Sequence, residues 1–298
     1  MKVVITGASG LIGSALRPAL TADRHEILRL VRGPAAGAES RWDPEHGVLD
    51  PGTLDGADAV VHLAGESIAG GRWTAARKAR IRDSRVRGTA LLARSIATRN
   101  RKPKVFISAS AVGFYGDRRD ELLDEGSAQG RGFLADVCRE WEAATRPAVD
   151  AGVRVVNTRF GVVLSGRGGA LPKMLPAFRV GAGGPIGTGH QHMSWIAIDD
   201  VVGAIQHLLR IDTVVGPVNL VAPHPATNSE FTRTLGGVLR RPTLLRVPAS
   251  VLRVVLGEMA DELLLASTRV RPARLLDSGY RFRHPDLEAT LRHVLGSG

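Results

Sequence analysis

Three glycines spaced three residues apart follow the first apolar run of the chain. Residues 3–5 read Val-Val-Ile, which is typical of a buried strand, and Gly7, Gly10 and Gly13 come next, before a helix-like stretch. In a β-α-β unit the first glycine permits a tight turn, the second lets the backbone approach a pyrophosphate, and the third lets the helix pack closely on the strand. The N–H groups at the start of such a helix attract phosphate. The pattern therefore predicts a dinucleotide-binding turn.

Further apolar runs alternate with helical stretches along the first half of the chain. We predict four more strands, at residues 26–31, 59–64, 104–108 and 153–158. The longest helical stretch, residues 74–97, lies between the third and fourth strands. This alternation predicts an α/β fold of the Rossmann type, a doubly wound parallel sheet with helices on both faces.

The character of the chain changes after Gly161, where glycine-rich loops and prolines become frequent and helices with short strands follow. Thr227 and Glu230 have the spacing of a capping box and predict a helix start. We expect a smaller C-terminal α+β region that covers the substrate at the open end of the sheet. The expected division is a dinucleotide-binding domain at 1–165, to which 195–222 returns, and a covering region at 166–194 and 223–298.

Length and composition exclude several classes of protein. A chain of 298 residues with 44% hydrophobic residues can bury a core and is too apolar to be disordered. It has no apolar run of the length that spans a membrane, and the early first strand leaves no room for a signal peptide. A single cysteine, Cys138, excludes an internal disulfide and a cysteine-rich zinc site. We predict a cytoplasmic protein.

The net charge of +11 comes almost entirely from arginine. A basic chain can bind nucleic acid through phosphate contacts. The arginines are spread along the chain, however, and even the densest run, residues 77–87, fits a solvated helix face or an anionic small molecule equally well. We expect no specific nucleic-acid partner.

The end of the second strand distinguishes NAD from NADP. An acidic residue there would accept hydrogen bonds from the ribose 2′-hydroxyl of NAD. Here Val31 is followed by Arg32, and the first acidic residue is Glu39. A guanidinium suits a 2′-phosphate in charge and in donor geometry, so Arg32 favours NADP(H); the alternative is an ordinary surface arginine.

The helix at 74–97 has an arginine among apolar residues. Ile81, Gly88 and Leu92 fall on one stripe at helical spacing, and Arg85 lies on the same stripe. A buried arginine needs an anionic or hydrogen-bonding partner. Either a bound cofactor or substrate, or an internal ion pair, would supply it.

Hydroxyl groups cluster where the fourth strand ends. Ser108 and Ser110 close that strand, and Tyr115 follows. Parallel sheets present ligand-facing residues at this edge, so these hydroxyls either contact a substrate carbonyl or are turn residues. The chain has no G-x-S-x-G elbow, and its nine histidines show no H-E-x-x-H or similar spacing, so no metal site is predicted.

Together these features resemble the extended short-chain dehydrogenase/reductase superfamily. The chain is most similar to its atypical epimerase-family branch, nucleotide-sugar-epimerase-like proteins with a C-terminal domain of unknown function. The resemblance extends over nearly the whole chain and is carried by residues 6–13, 63–66, 72–73, 84–85, 108–113, 141–142, 159–164, 194–196, 199–200, 222–223, 226–228 and 256–258.

The resemblance implies a set of cofactor contacts. Those at the pyrophosphate would come from Gly7, Ser9, Gly10, Leu11, Ile12 and Gly13. Those elsewhere along the cofactor would come from Arg32, Leu63, Ala64, Gly65, Arg80, Arg85, Ser108 and Arg159. Arg85 stands where the superfamily usually has a structural asparagine.

The catalytic pair of the superfamily, Y-x-x-x-K, is missing. In that pair the tyrosine is the acid/base, and the lysine lowers its pKa and holds the ribose. The aligned stretch, residues 132–138, contains neither residue and has Phe133 and Val137 instead. An acid/base role for Tyr115 with Ser110 is the catalytic hypothesis that the sequence leaves.

Two functions follow as hypotheses. The first is an NADP(H)-binding oxidoreductase or epimerase-like enzyme for an unidentified small molecule, with a nucleotide sugar as one candidate. The second is a non-catalytic NADP(H)-binding sensor or partner-binding protein. The missing pair favours the second, and the glycine-rich 181–195 loop, which suits a substrate cover, favours the first. We expect a monomer or homodimer with no membrane partner.

Overall fold

The computed structural model describes residues 1–296 as a layered α/β protein. The strands are β1 (Lys2–Thr6), β2 (Glu26–Val31), β3 (Glu39–Asp43), β4 (Val48–Leu49), β5 (Ala59–His62), β6 (Val105–Ala111), β7 (Leu122–Leu123), β8 (Arg154–Phe160), β9 (Val162–Leu164), β10 (His192–Met193), β11 (Trp195–Ala197), β12 (Gly216–Leu220), β13 (Ala226–Thr227) and β14 (Arg269–Val270). The helices are α1 (Leu11–Ala22), α2 (Ala75–Ala97), α3 (Phe133–Ala143), α4 (Arg146–Asp150), α5 (Leu171–Arg179), α6 (Ile198–Arg210), α7 (Asn228–Leu239), α8 (Ala249–Leu256), α9 (Glu258–Ala260), α10 (Ala273–Asp277) and α11 (Leu287–Leu295). A 3₁₀ turn (Val112–Tyr115) follows β6, and a π-helical turn (Asp261–Leu265) follows α9.

The main sheet has eight strands in the order β12-β8-β6-β5-β1-β2-β3-β4. Its neighbouring strands are parallel except β3 and β4, which are antiparallel. The chain leaves β1 toward β2 on one side and returns to β5 on the other, so the strand order reverses at β1. In such sheets ligands bind in the crevice outside the carboxyl ends of the strands at this point. The predicted doubly wound fold is confirmed.

Apolar side chains are buried on both faces of the sheet. Leu16 of α1 and Ile205 of α6 belong to the core on one face. Leu92 and Ile96 of α2 belong to the core on the other face, as the helical spacing predicts. A third core, around Trp195, joins α5, α7 and α11 of the C-terminal half. The sheet is therefore buried on both sides, which is the condition under which parallel strands are stable.

The structure differs from the predicted elements near the sheet edge and at three strand ends, since β6 and β8 continue to Ala111 and Phe160 rather than ending at residues 108 and 158. The strand β3 was not predicted, because its sequence is mostly polar and only Trp42 of it is buried. The strand β5 ends at His62 rather than at residue 64. Leu63 and Ala64 leave the strand and donate their N–H groups to the Thr6 hydroxyl, at 3.1 and 3.2 Å.

The capping box predicted at the start of α7 is present. Thr227 Oγ1 accepts the Glu230 N–H at 3.2 Å, and the Glu230 carboxylate accepts the Thr227 N–H at 2.7 Å. We expect Thr227→Ala to lower the free energy of unfolding by about 1 kcal/mol, because it leaves an amide of the first turn without its acceptor.

Urea denaturation measures this loss, and Thr98→Ala at the end of α2 is the matched control. Thr98 is exposed, and its hydroxyl donates to the Ser95 carbonyl instead of accepting from a helix amide. Its replacement should change stability by less than about 0.5 kcal/mol. Equal losses in the two variants would contradict a stabilising role for the capping box.

Candidate functional site

The glycine turn between β1 and α1 is closely packed against the end of β5. Gly7 has a φ of +66°, and a Cβ there would lie 2.7 Å from the Leu63 carbonyl carbon. A Cβ on Gly13 would collide with the Gly7 carbonyl oxygen. Gly10 begins α1 without a side-chain cap, and the first turn of α1 contains no acidic residue. The partial positive charge of this helix end is therefore not neutralised locally and can receive an anion.

A buried hydrogen-bond centre fixes the end of β5 against this turn. Thr6 Oγ1 accepts two amide protons, from Leu63 and Ala64, so its own proton goes to His62 Nδ1 at 2.6 Å. His62 is thereby held with its proton on Nε2. Burial, together with the nearby charge of Arg85, lowers the pKa of His62 to about 3. The ring is neutral at physiological pH and acts as a structural acceptor.

A cavity of about 350 Å³ opens at these strand ends, and we call it the strand-end cavity. Its lining combines the glycine turn, the end of β2, the region of β3 and the segment after β5. The lining residues are Gly7, Ala8, Ser9, Gly10, Arg29, Leu30, Val31, Arg32, Trp42, Pro44, Leu63, Ala64, Gly65, Glu66 and Ser84. Seven of the residues expected at the cofactor therefore meet here, and Leu11, Ile12 and Gly13 form the adjoining first turn of α1.

Two arginines line the strand-end cavity, and they differ in whether an acidic side chain pairs with them. Arg29 forms an ion pair with Glu39 at 2.8 Å across β2 and β3. Arg32 is exposed and makes no ion pair or hydrogen bond within residues 1–296. Its guanidinium is thus available to an anionic ligand.

Arg85 lies beneath the rim of this cavity. It faces inward on α2, as the helical stripe predicts, and Nη1 donates to the carbonyls of Glu66 at 3.0 Å and Ile81 at 2.9 Å. The guanidinium also lies 5.1 Å from the Trp141 ring centroid. Burial lowers the pKa of Arg85. Arg85 therefore supports the 65–66 backbone, whereas the exposed Arg80 lies outside the cavity lining.

The hydroxyls expected in catalysis belong instead to a buried network. Glu142 accepts hydrogen bonds from Ser110 Oγ at 2.7 Å and from Nε and Nη2 of Arg159, both at 2.8 Å. Arg159 Nη1 donates to the Tyr115 hydroxyl at 2.9 Å, and that hydroxyl donates to Asn219 Oδ1 at 2.8 Å. All five side chains are therefore hydrogen-bonded within this network.

This geometry does not support the acid/base hypothesis for Tyr115. The side chain is 0% exposed, its hydroxyl is fully bonded, and burial raises its pKa. Ser110, Ser108 and Arg159 are also buried and do not line the strand-end cavity. Whether a cofactor reaches Arg159 or Ser108 stays a prediction, but their present contacts are structural.

A second cavity, of about 260 Å³, lies between the segment after β6 and the C-terminal residues, and we call it the C-terminal cavity. Its lining residues are Gly113, Gly116, Asp117, Arg131, Leu134, Arg253, Asp261, Glu262, Leu265, Ala266 and Thr268. The Glu262 carboxylate accepts the N–H groups of Phe133 at 2.8 Å and Leu134 at 3.0 Å, so the C-terminal region supplies the cap of α3.

The surroundings of Phe133 contain a cation that the sequence did not single out. Lys78 Nζ lies 4.6 Å from the Phe133 ring centroid and donates to both Glu258 carboxylate oxygens at 2.8 Å. The Trp73 ring lies 5.1 Å from Phe133. The C-terminal region therefore meets α2 and α3 here.

Neither tyrosine of the chain begins a Y-x-x-x-K, because Arg119 and His284 stand four residues after Tyr115 and Tyr280.

Several lining residues were not among the expected cofactor contacts, although Glu66 and Ser84 belong to motifs that carry the resemblance. Trp42 lies on β3 and Pro44 follows it, and the pairing of this strand with β2 and β4 is not visible in the sequence. Ser84 and Glu66 are joined by a hydrogen bond from the Glu66 N–H to Ser84 Oγ at 3.1 Å, although they are far apart in the chain. The alternation of Ser40 and Trp42 around Arg41 is the one local signal of β3.

The strand order and the glycine turn define a dinucleotide-binding α/β protein of the Rossmann type. Residues 3–220 match the model of the NAD dependent epimerase/dehydratase family, and residues 247–294 match a domain of unknown function (DUF1731). The chain belongs to the NAD dependent epimerase/dehydratase family. The resemblance inferred from the sequence motifs is thus confirmed.

Relatives match along the whole chain. An epimerase family protein of Mycobacterium bovis is 47% identical over 293 residues, which are 98% of this chain and 97% of the relative. The crystal structure of the human epimerase family protein SDR39U1 (isoform 2) with NADPH is similar at a TM-score of 0.91 and 36% identity, over 99% of both chains. The nucleoside-diphosphate sugar epimerase of Corynebacterium glutamicum has a TM-score of 0.84 and 41% identity, over 99% of this chain and 58% of that one. In residues 1–296 no helix combines the length and apolarity that crossing a membrane requires.

Proposed function

We propose that this protein is an NADP(H)-dependent oxidoreductase or epimerase-like enzyme that acts on a small molecule. The observation that carries the proposal is the strand-end cavity, where the glycine turn, the uncapped start of α1 and the exposed Arg32 face one space. The NADPH bound to the human relative supports the same choice of cofactor.

The donor set of this cavity fits a phosphorylated dinucleotide. The close approaches at Gly7 and Gly13 require glycine at both positions, and Gly10 adds no side chain at the helix start, so a pyrophosphate can reach the backbone there. Arg32, at the end of β2, would hold the 2′-phosphate. Glu39 would not compete for a ribose hydroxyl, because its carboxylate is occupied by Arg29 and the Ala36 N–H.

Bound NADP(H) would supply hydride transfer, and the chain would supply position and exclusion of water. Leu63, Ala64 and Gly65 would lie against the cofactor, and Arg85 would keep this segment in place through the Glu66 carbonyl. The C-terminal cavity is the candidate substrate space, because it opens beside the 3₁₀ turn after β6 and carries both Arg131 and Arg253 in its lining.

A specific observation favours the second function, a non-catalytic NADP(H)-binding sensor. Phe133 and Val137 occupy the stretch where the superfamily has its catalytic pair, and Tyr115 is buried in the network. A screen of carbonyl compounds with NADPH and of nucleotide sugars with NADP⁺ separates the two functions. Turnover of any member supports the enzyme; NADPH binding without turnover of either class supports the sensor.

We expect Arg32→Ala to remove the preference for NADPH over NADH. The variant loses a charge-assisted contact to the 2′-phosphate and should bind NADPH about 10–100-fold more weakly, with unchanged NADH affinity. Fluorescence titration with each nucleotide measures both affinities.

Arg94→Ala is the matched control for this experiment, because Arg94 is an exposed arginine on α2 outside the cavity lining. It removes the same charge and should leave both affinities unchanged. If neither nucleotide binds the wild type, the cofactor proposal fails. If both arginine variants weaken NADPH equally, a general charge effect replaces the specific contact.

A further inference from the structure

Two histidines and one aspartate from separate segments meet beside α6 and α11. Asp199 lies in the first turn of α6, His284 lies in the loop before α11, and His293 lies in the last turn of α11. One potential ligand atom from each of the three lies within 4.8 Å of the other two. None of these residues lines the strand-end cavity or the C-terminal cavity.

We propose that Asp199, His284 and His293 form a binding site for a divalent transition-metal ion of the zinc class. Two imidazole nitrogens and one carboxylate oxygen are a donor set that zinc prefers, with a fourth position left for water. The three residues lie 85 and 9 positions apart, so no sequence motif announces the site.

The distances agree with a shared ion. His293 Nε2 lies 3.2 Å from Asp199 Oδ2. Two ligands of a tetrahedral zinc ion with bonds of about 2.0–2.1 Å are separated by about 3.4 Å. The rings of His284 and His293 are stacked, with centroids 4.2 Å apart and planes at 18°. The ligand atom of His284 lies within 4.8 Å of the other two, so coordination requires the His284 ring to turn out of the stack and its nitrogen to move closer by up to about 1.4 Å.

The two histidine rings have little else to bind. Neither ring nitrogen of His284 makes a hydrogen bond within residues 1–296, and Asp199 is the one such partner of the His293 ring. A metal ion would use the lone pairs of both rings at once.

A buried neighbour holds the site in place. Asp200 is 0% exposed, and its carboxylate accepts hydrogen bonds from the Tyr280 hydroxyl at 3.0 Å and from the N–H groups of Arg283 at 2.8 Å and His284 at 2.9 Å. These contacts place His284 beside Asp199. Preorganised ligands of this kind raise metal affinity because little order is lost on binding.

The test is titration of the tag-free, chelator-treated full chain with Zn²⁺ by calorimetry. The wild type should bind one ion per chain. His293→Ala, His284→Ala and Asp199→Asn should each weaken binding at least about tenfold, since even loss of an outer partner of a metal ligand usually costs that much. His293 is exposed on a helix, where alanine is well tolerated, so this variant should keep its fold.

His46→Ala is the matched control. His46 Nδ1 lies 2.8 Å from Asp43 Oδ2, so this exposed pair repeats the histidine–carboxylate contact without a second histidine. The control should keep full zinc affinity. Absence of zinc binding, or equal affinity in the wild type and His293→Ala, would overturn the proposal.

Cobalt absorption gives a second measurement. Co²⁺ in a four-coordinate nitrogen–oxygen site absorbs visible light more strongly than hydrated Co²⁺, and the wild type and His46→Ala should both show this band. The band should disappear in His284→Ala. A spectrum in the wild type identical to that of hydrated Co²⁺ would contradict the site, whatever the result for NADP(H).

Discussion

Glu142→Gln should lower the free energy of unfolding by about 3–5 kcal/mol. The Glu142 and Arg159 side chains are 13% and 4% exposed, and the pair is bidentate with both contacts at 2.8 Å. The variant leaves the guanidinium buried without a counter-charge, and breaking one partner of a buried pair costs this much. Ser110 also loses its carboxylate acceptor. Urea denaturation measures the loss, and the dependence of the free energy of unfolding on urea concentration should stay unchanged.

An exposed ion pair provides the control for this experiment. Arg146 and Asp150 contact each other at an i, i+4 spacing with side chains 74% and 55% exposed. Asp150→Asn should cost less than about 1 kcal/mol, because solvent screens the pair. The double variant Glu142→Leu/Arg159→Met should recover part of the loss, since no buried charge remains. A Glu142→Gln loss no larger than that of Asp150→Asn would show that the network does not stabilise the fold.

His62 should make the protein unstable to acid. In the folded chain burial and the Arg85 charge lower the pKa of His62 to about 3, below its ordinary value of 6.5. Between these pH values the unfolded chain binds the proton and the folded chain does not. The stability that the neutral His62 ring contributes to the folded chain is therefore complete above pH 6.5 and is lost as the pH falls toward 3. Its size is on the order of 5 kcal/mol.

The variant His62→Asn isolates the contribution of His62 to the pH dependence of stability. Asparagine can offer its carbonyl oxygen to the Thr6 hydroxyl in place of Nδ1 and does not titrate. The variant is less stable at neutral pH because it leaves space in the core. Between pH 6.5 and 4 its free energy of unfolding should fall less steeply than that of the wild type. The difference between the two slopes should correspond to one bound proton. Denaturation curves at several pH values give both slopes.

An exposed loop histidine serves as the control for the pH slope. His190 lies on the surface of the glycine-rich loop. His190→Asn should keep the wild-type dependence on pH. Equal slopes for the wild type and His62→Asn would show that His62 is not the group whose protonation is opposed by folding.

Local signals in the sequence predicted the elements that local sterics control. The turn at Gly7, Gly10 and Gly13 was identified because only glycine permits the positive φ at Gly7 and the close approach at Gly13. The inward face of α2, including Arg85, followed from the 3.6-residue period. The capping box of α7 followed from two residues three positions apart. Each of these features is contained in a few neighbouring residues.

Features that depend on long-range contacts were not predicted or were predicted with another role. The strand β3 is polar and exists through its pairing with β2 and β4. Tyr115 was expected near a substrate because it follows a strand end, but its hydroxyl bonds Arg159 and Asn219, which are 44 and 104 residues away. Helical spacing could not distinguish a ligand for Arg85 from the carbonyl partners that it has.

The sequence by itself determined the β-α-β turn, the alternation of strands and helices, and the family, because these depend on backbone conformation and on ordered motifs. Only the tertiary structure decided which polar groups satisfy one another and which stay available. Burial sets this division, since a polar side chain inside the protein must find a partner wherever the fold brings one. Arg159 found Glu142, whereas Arg32 remained exposed at the strand-end cavity. His284 and His293 came together with Asp199 through the same long-range packing.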